Sequence, residues 1–150
     1  MTTDNDLIKL YSGRILELAA DIPHHERLPA PGGTSRRRSP VCGSMVTADV
    51  VLRDGRVAEF GQDVKACALG QASAAVTGGA VIGRTPGELA AARDALRAML
   101  KEDGPVPEAP FDGYEVLLPA RDFKNRHASI MLSIEAAAEA AAQASQSDCA

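Results

Sequence analysis

Two cysteines and one histidine stand where the chain is expected to change conformation. Cys42 closes a Pro-rich stretch and leads into a predicted strand, Cys67 sits where strand gives way to helix, and His127 falls in the first turn of the last predicted helix. A thiol at a helix start feels the positive end of the helix dipole and its unpaired N–H groups, which favour the thiolate needed for nucleophilic attack or metal ligation. The run Arg36, Arg37, Arg38 lends Cys42 similar help. Soft sulfur ligands with one imidazole suit zinc or an iron–sulfur centre and not magnesium or calcium. The separations match no compact zinc-finger spacing. Plainer roles stand beside each residue: Cys67 as a small buried hydrophobe, His127 as a partly exposed polar side chain, His24-His25 as solvent-facing loop, the arginine run as a solvated patch, and Cys149 as tail.

The elements that must position these residues belong to one domain. The 150 residues, 45% of them apolar, can bury roughly 70% of their unfolded surface without disulfide or structural metal. The net charge of -4 has the wrong sign for a general nucleic-acid binder, and with 3% aromatic residues base-stacking platforms are scarce. Three cysteines without a CxxC pair point to free thiols in a reducing compartment. The start of the chain lacks the pattern of a secretory or transit peptide, and the Ala- and Gly-rich stretch from Ala66 to Gly83 is too polar to span a bilayer. A cytoplasmic protein without membrane insertion is expected.

Apolar residues from Leu7 through Leu18 recur at helical spacing, weakened at Gly13 and ended by Pro23. Residues 24–40 hold three prolines and the arginine run and are expected to form a flexible loop. Met45–Leu52 and Val57–Phe60 flank Asp54-Gly55, a tight hairpin turn, and a third short strand is expected at Asp63–Lys65. The small residues from Ala68 to Ile82 suit a buried helix that Gly78-Gly79 would interrupt. Thr85-Pro86-Gly87-Glu88 is a capping box, opening a helix to about Lys101 with Leu89, Ala92, Leu96, Met99 and Leu100 inside. Tyr114–Leu118 is ambiguous between strand and helical turn, and a last helix capped by Asn125 runs into a frayed tail at 143–150. The order is that of an α+β domain, a small three-stranded antiparallel meander with an N-terminal helix and C-terminal helices on one side.

At these residues the chain resembles the iron–sulfur cluster assembly scaffold family of the IscU or NifU N-terminal type. Ser39-Pro40-Val41-Cys42-Gly43 resembles the family's first cysteine motif, Lys65-Ala66-Cys67-Ala68 the second, and Leu118-Pro119-Ala120-Arg121 with Arg126-His127-Ala128-Ser129 the third, which in the family reads His-Cys-Ser. The resemblance covers about residues 6–142 and implies an IscU/SufE-like fold. Two positions depart from it: Ser44 stands where the family has an acidic residue, and Ala128 where it has the third cysteine, the usual acceptor of persulfide sulfur. Cys42, Cys67 and His127 are the cofactor- and metal-binding positions that carry over. Since a [2Fe–2S] core needs four protein ligands and zinc accepts two thiolates, one imidazole and a water, a labile iron–sulfur cluster or zinc is the expected cargo. The fourth ligand is open among Asp122, His24 or His25, Cys149, a second subunit and a small thiol.

Two functional readings follow. One is a scaffold that takes iron, zinc or a labile cluster, works with a cysteine desulfurase and passes its cargo to iron–sulfur client proteins. The other is a degenerate homologue serving as accessory or adaptor subunit of a larger complex, such as an iron–sulfur respiratory enzyme. An enzymatic role with Cys67 as nucleophile and His127 as base lacks an orienting third residue or oxyanion motif, and the chain is read as a non-enzyme.

Overall fold

A computed structural model describes residues 12–40 and 43–148. The expected helical residues Leu7–Tyr11, together with Cys42 and Cys149, lie outside the described residues. Helix α1 (Gly13–Ala20) is capped by Ser12, whose hydroxyl accepts from the Ile15 amide at 3.5 Å. Gly13 is thus the first helical residue of this element, where its freedom costs little, rather than an interior weak point. Ile15 is fully buried.

Strands β1 (Gly33–Arg38), β2 (Met45–Arg53) and β3 (Arg56–Lys65) form an antiparallel sheet in the order β1-β2-β3. The β2–β3 hairpin turns at Asp54-Gly55, both at positive φ (54° and 76°), the geometry that matches the right-handed twist of the flanking strands. The meander is therefore as expected in number and sense, but its strands are placed differently. Asp63–Lys65 is the end of β3, and the third strand is β1, inside the segment expected to be a flexible loop. Gly33-Thr-Ser-Arg-Arg-Arg lacks apolar alternation, because its inward positions are Gly33 and Ser35 and its end is a charged edge. A Cβ on Gly33 would lie 2.0 Å from the Ala140 carbonyl oxygen, so only glycine lets the last helix settle on this strand.

The rest of that segment is tied down as well. Asp49, fully buried in the middle of β2, accepts from Arg27 Nε at 2.6 Å, Arg27 Nη2 at 3.2 Å, the Leu28 amide at 3.0 Å and Thr34 Oγ1 at 2.7 Å. Alongside the free edge of β3, the Gln62 amide donates to the His24 carbonyl at 3.0 Å and the Val64 amide to His25 Nε2 at 3.4 Å. His24-His25 is exposed, yet docked on strand hydrogen-bonding groups that would otherwise be unpaired.

Helix α2 (Ala68–Ala80) is not interrupted at Gly78-Gly79. Gly78 is small because a Cβ would meet the Pro23 carbonyl at 2.8 Å and Gln62 Nε2 at 2.9 Å. Helix α3 (Pro86–Lys101) opens on both reciprocal bonds of the capping box, Glu88 N to Thr85 Oγ1 at 3.1 Å and Thr85 N to Glu88 Oε1 at 3.0 Å, and buries the five predicted residues. Tyr114–Leu118 falls within a 3-10 helix, Asp112–Asp122. Helix α4 (Lys124–Asp148) starts one residue before Asn125, so that residue is in the first turn and not the cap. It covers the sheet with Ala136, Ala137, Ala140, Ala141 and Ala144, all buried. The tail expected to fray from 143 stays helical to Asp148, with Ala144 against Gly32.

Candidate functional site

Cys67 is the N-cap of α2, in extended conformation (φ -66°, ψ 170°), and its side chain makes no cap bond. It is half-buried. Its Sγ lies 3.4 Å from the hydroxyl of Ser129 on α4, and Ser129 in turn donates to Ser44 Oγ at 3.1 Å. Ser129 and Ser44 are both buried. The approach of α2 to α4 that permits this depends on Gly70, where a Cβ would stand 2.6 Å from Ser129 Oγ. The residues gathered here come from just before β2, the start of α2 and the first turns of α4.

His127 is buried more deeply than its place in a first helical turn suggests, with 3% of its surface exposed. Its Nε2 lies 2.9 Å from the Ala120 carbonyl oxygen. A carbonyl can only accept, so Nε2 donates, and in the neutral tautomer that does so the lone pair lies on Nδ1. A backbone carbonyl orienting the far ring nitrogen is a common support of metal-ligating histidines. The ring borders a concavity shared with Lys101, Arg121, Asp122 and Lys124, and Arg121 is itself anchored on the Met99 carbonyl at 2.7 Å.

The predicted residues are thus divided. Cys67 is joined to Ser129 and Ser44, and His127 to Ala120 of the 3-10 helix. Among the described residues no three His, Cys, Asp or Glu side chains gather closely enough to hold a metal ion. His25 Nε2 is occupied by the Val64 amide. Ala128, between His127 and Ser129 on the helix, faces a different concavity bordered by Pro40 and the arginines of β1. No local pattern points to the Ser129 link, although two small residues, Gly70 and Ser129, near the second and third motifs are what such a close crossing requires.

No family model matches the sequence, and no curated protein matches it. Solved structures do. The chain is 44% identical to the N-terminal part of a nitrogen-fixing NifU-like protein from Brucella abortus, covering 94% of this chain and 98% of that one with a TM-score of 0.90. A protein described as an iron–sulfur cluster assembly scaffold for the SUF system, from Fervidobacterium islandicum AW-1, shares the fold at 17% identity, with 87% and 95% coverage and a TM-score of 0.76. A further crystal structure, of a hypothetical protein, is 22% identical over 90% of this chain and 98% of that one, again with a TM-score of 0.76.

Proposed function

The chain belongs to the NifU-like N-terminal branch of the IscU/NifU-type scaffold family, and from that premise we propose that it takes iron, zinc or a labile iron–sulfur cluster through Cys42, Cys67 and His127 and hands it to client proteins. The observation that carries the reading is the Cys67 thiol: half-exposed, at the start of a 13-residue helix, and bonded among the described residues only to a neutral hydroxyl at 3.4 Å. A thiol–hydroxyl contact of that length is weak and yields readily to a metal ion. The His127 ring, with Nε2–H held on Ala120, keeps Nδ1 as its ligating atom. An incomplete set of protein ligands suits transfer, because an incoming client thiolate can take a vacant coordination position before the old ligands leave.

A cysteine desulfurase would be the source of sulfur in this reading, and the methyl group of Ala128 can neither accept that sulfur nor ligate metal. The chain itself performs no covalent catalysis in this reading. A nucleophile–base pair would need the imidazole on the thiol, and the paired groups are instead Cys67 with Ser129 and His127 with Ala120.

One observation favours the adaptor reading. Ser44, at the position where an acidic ligand is expected, accepts a buried hydrogen bond from Ser129, which makes it part of the packing between β2 and α4. The two readings part on metal content. Anaerobically purified protein, assayed for zinc, iron and sulfide, should carry metal that Cys67→Ser loses. Metal-free native protein that stays colourless after reconstitution with iron and sulfide, while co-purifying stoichiometrically with a larger complex, would leave the adaptor.

A further inference from the structure

The chain has a net charge of -4, yet one concavity of about 500 Å³ inverts that sign. Its wall is Arg36, Arg37 and Arg38 of β1 with Arg97 and Lys101 of α3, and Glu135 of α4 is the one carboxylate among its lining residues. Ala128 and Met131 supply an apolar floor.

The five cations are only partly neutralised. Glu135 stands 3.8 Å from Arg37 and 3.7 Å from Arg97, beyond hydrogen-bond distance. Arg37 takes its shorter contact from Glu139 at 3.1 Å, Arg97 from Asp94 at 3.4 Å, and Arg36 places Nε 3.3 Å from Thr47 Oγ1. Each of these bonds holds a guanidinium in place and leaves further N–H donors unused. Among the described residues, Arg38 and Lys101 have no carboxylate within ion-pairing distance. Like charges gathered on two elements repel one another, and the arrangement gains most from a ligand that bridges them.

We propose that this concavity binds a small polyanion carrying two or more phosphate or carboxylate groups. Guanidinium forks match both oxyanions in two-point geometry, and the volume lies within the usual range of small-molecule sites. The site uses neither cysteine nor histidine, although Ala128, at the position of the family's third cysteine, forms part of its floor.

The test is calorimetric titration of the metal-stripped full-length chain with pyrophosphate and, separately, with citrate, at low and at moderate salt. Saturable one-to-one binding that weakens with salt is expected. The double variant Arg38→Ala, Lys101→Ala should weaken it by about tenfold or more, and Glu135→Gln, which removes the opposing charge, should tighten it by about threefold. Tighter binding of pyrophosphate assigns the site to phosphates, and tighter binding of citrate to carboxylates. No saturable binding of either anion, or binding indifferent to both variants, overturns the proposal. In that case the cations are a solvated patch or a surface for an acidic protein segment.

Discussion

Strand β2 carries polar groups of opposite character at its middle and just before its start. Around Asp49 a fully buried carboxylate receives four hydrogen bonds from Arg27, Leu28 and Thr34, the shortest at 2.6 Å. Around Ser44 a buried hydroxyl chain ends on a half-open thiol, through contacts of 3.1 and 3.4 Å between neutral groups. A buried ion with every lone pair engaged cannot change partners without leaving a charge unpaired in a low-dielectric interior. A thiol with one weak neighbour can. Saturation therefore marks Asp49 as the fastening of the segment between α1 and β1, and the weaker contact of Cys67 is the kind of environment that the proposed ligand role requires.

The sharpest way to break that contrast is Asp49→Ala, which leaves the Arg27 charge and the Leu28 amide without their acceptor and should cost about 3 kcal/mol in urea unfolding. It should also open residues 24–31 to proteolysis while the metal content stays at the native level. Cleavage elsewhere, or none, would show that packing and not the carboxylate holds the segment.

The same carboxylate has a pH signature. Burial pushes the Asp49 carboxyl up, but the bonds from Arg27, Thr34 and Leu28 together outweigh burial and hold it below the ordinary carboxylate range. A group depressed in the folded state stabilises fully above its unfolded value of about 3.9, and that stabilisation is lost as pH falls through the folded value. Acid unfolding of the native protein should therefore show a component below about pH 4 that Asp49→Asn lacks, and equal acid profiles would remove Asp49 as its source.

Gly33→Ala tests the other support of β1. Its Cβ would meet backbone atoms of α4, the Ala140 carbonyl at 2.0 Å and the Ala144 amide at 2.8 Å, which no side-chain rotation relieves. A loss of about 2 kcal/mol is expected, and an unchanged thermal midpoint would mean that α4 shifts freely on the sheet.

The smallest effect is expected from Ser129→Ala, about 1 kcal/mol or less, because the bonds removed are neutral and one is long. In the same protein, metal binding should survive while Cys67→Ser abolishes it. Loss of metal with Ser129→Ala would make the hydroxyl part of the site and not merely its lining.

Local signals read well where a short stretch contains its own physics. Asp54-Gly55 adopts the positive φ angles that the pair tolerates, Thr85 to Glu88 closes both bonds of its capping box, and the α3 stripe is buried as spaced. Strand β1 was invisible for the opposite reason. Its partner is the backbone of β2, its cover is the alanine face of α4, and its Arg37 finds Glu135 and Glu139 about a hundred residues away. Cys67 and His127 were legible as residues at element ends, but the directions of their side chains were not: the thiol turns to Ser129 and the ring to Ala120.

What this amino-acid order determined alone is the α-helices, the β2–β3 hairpin, the helix start at Thr85 and, through three short motifs, the family. Each depends on backbone preferences and hydrophobic spacing within a few turns of chain. Only the tertiary structure decided that the Arg-rich segment is an edge strand, that Asp49 fastens it, and that five cations share one hollow. Those outcomes come from charges and donors distant along the chain brought within a few ångströms, where desolvation and Coulomb forces, silent in any local window, choose the partner.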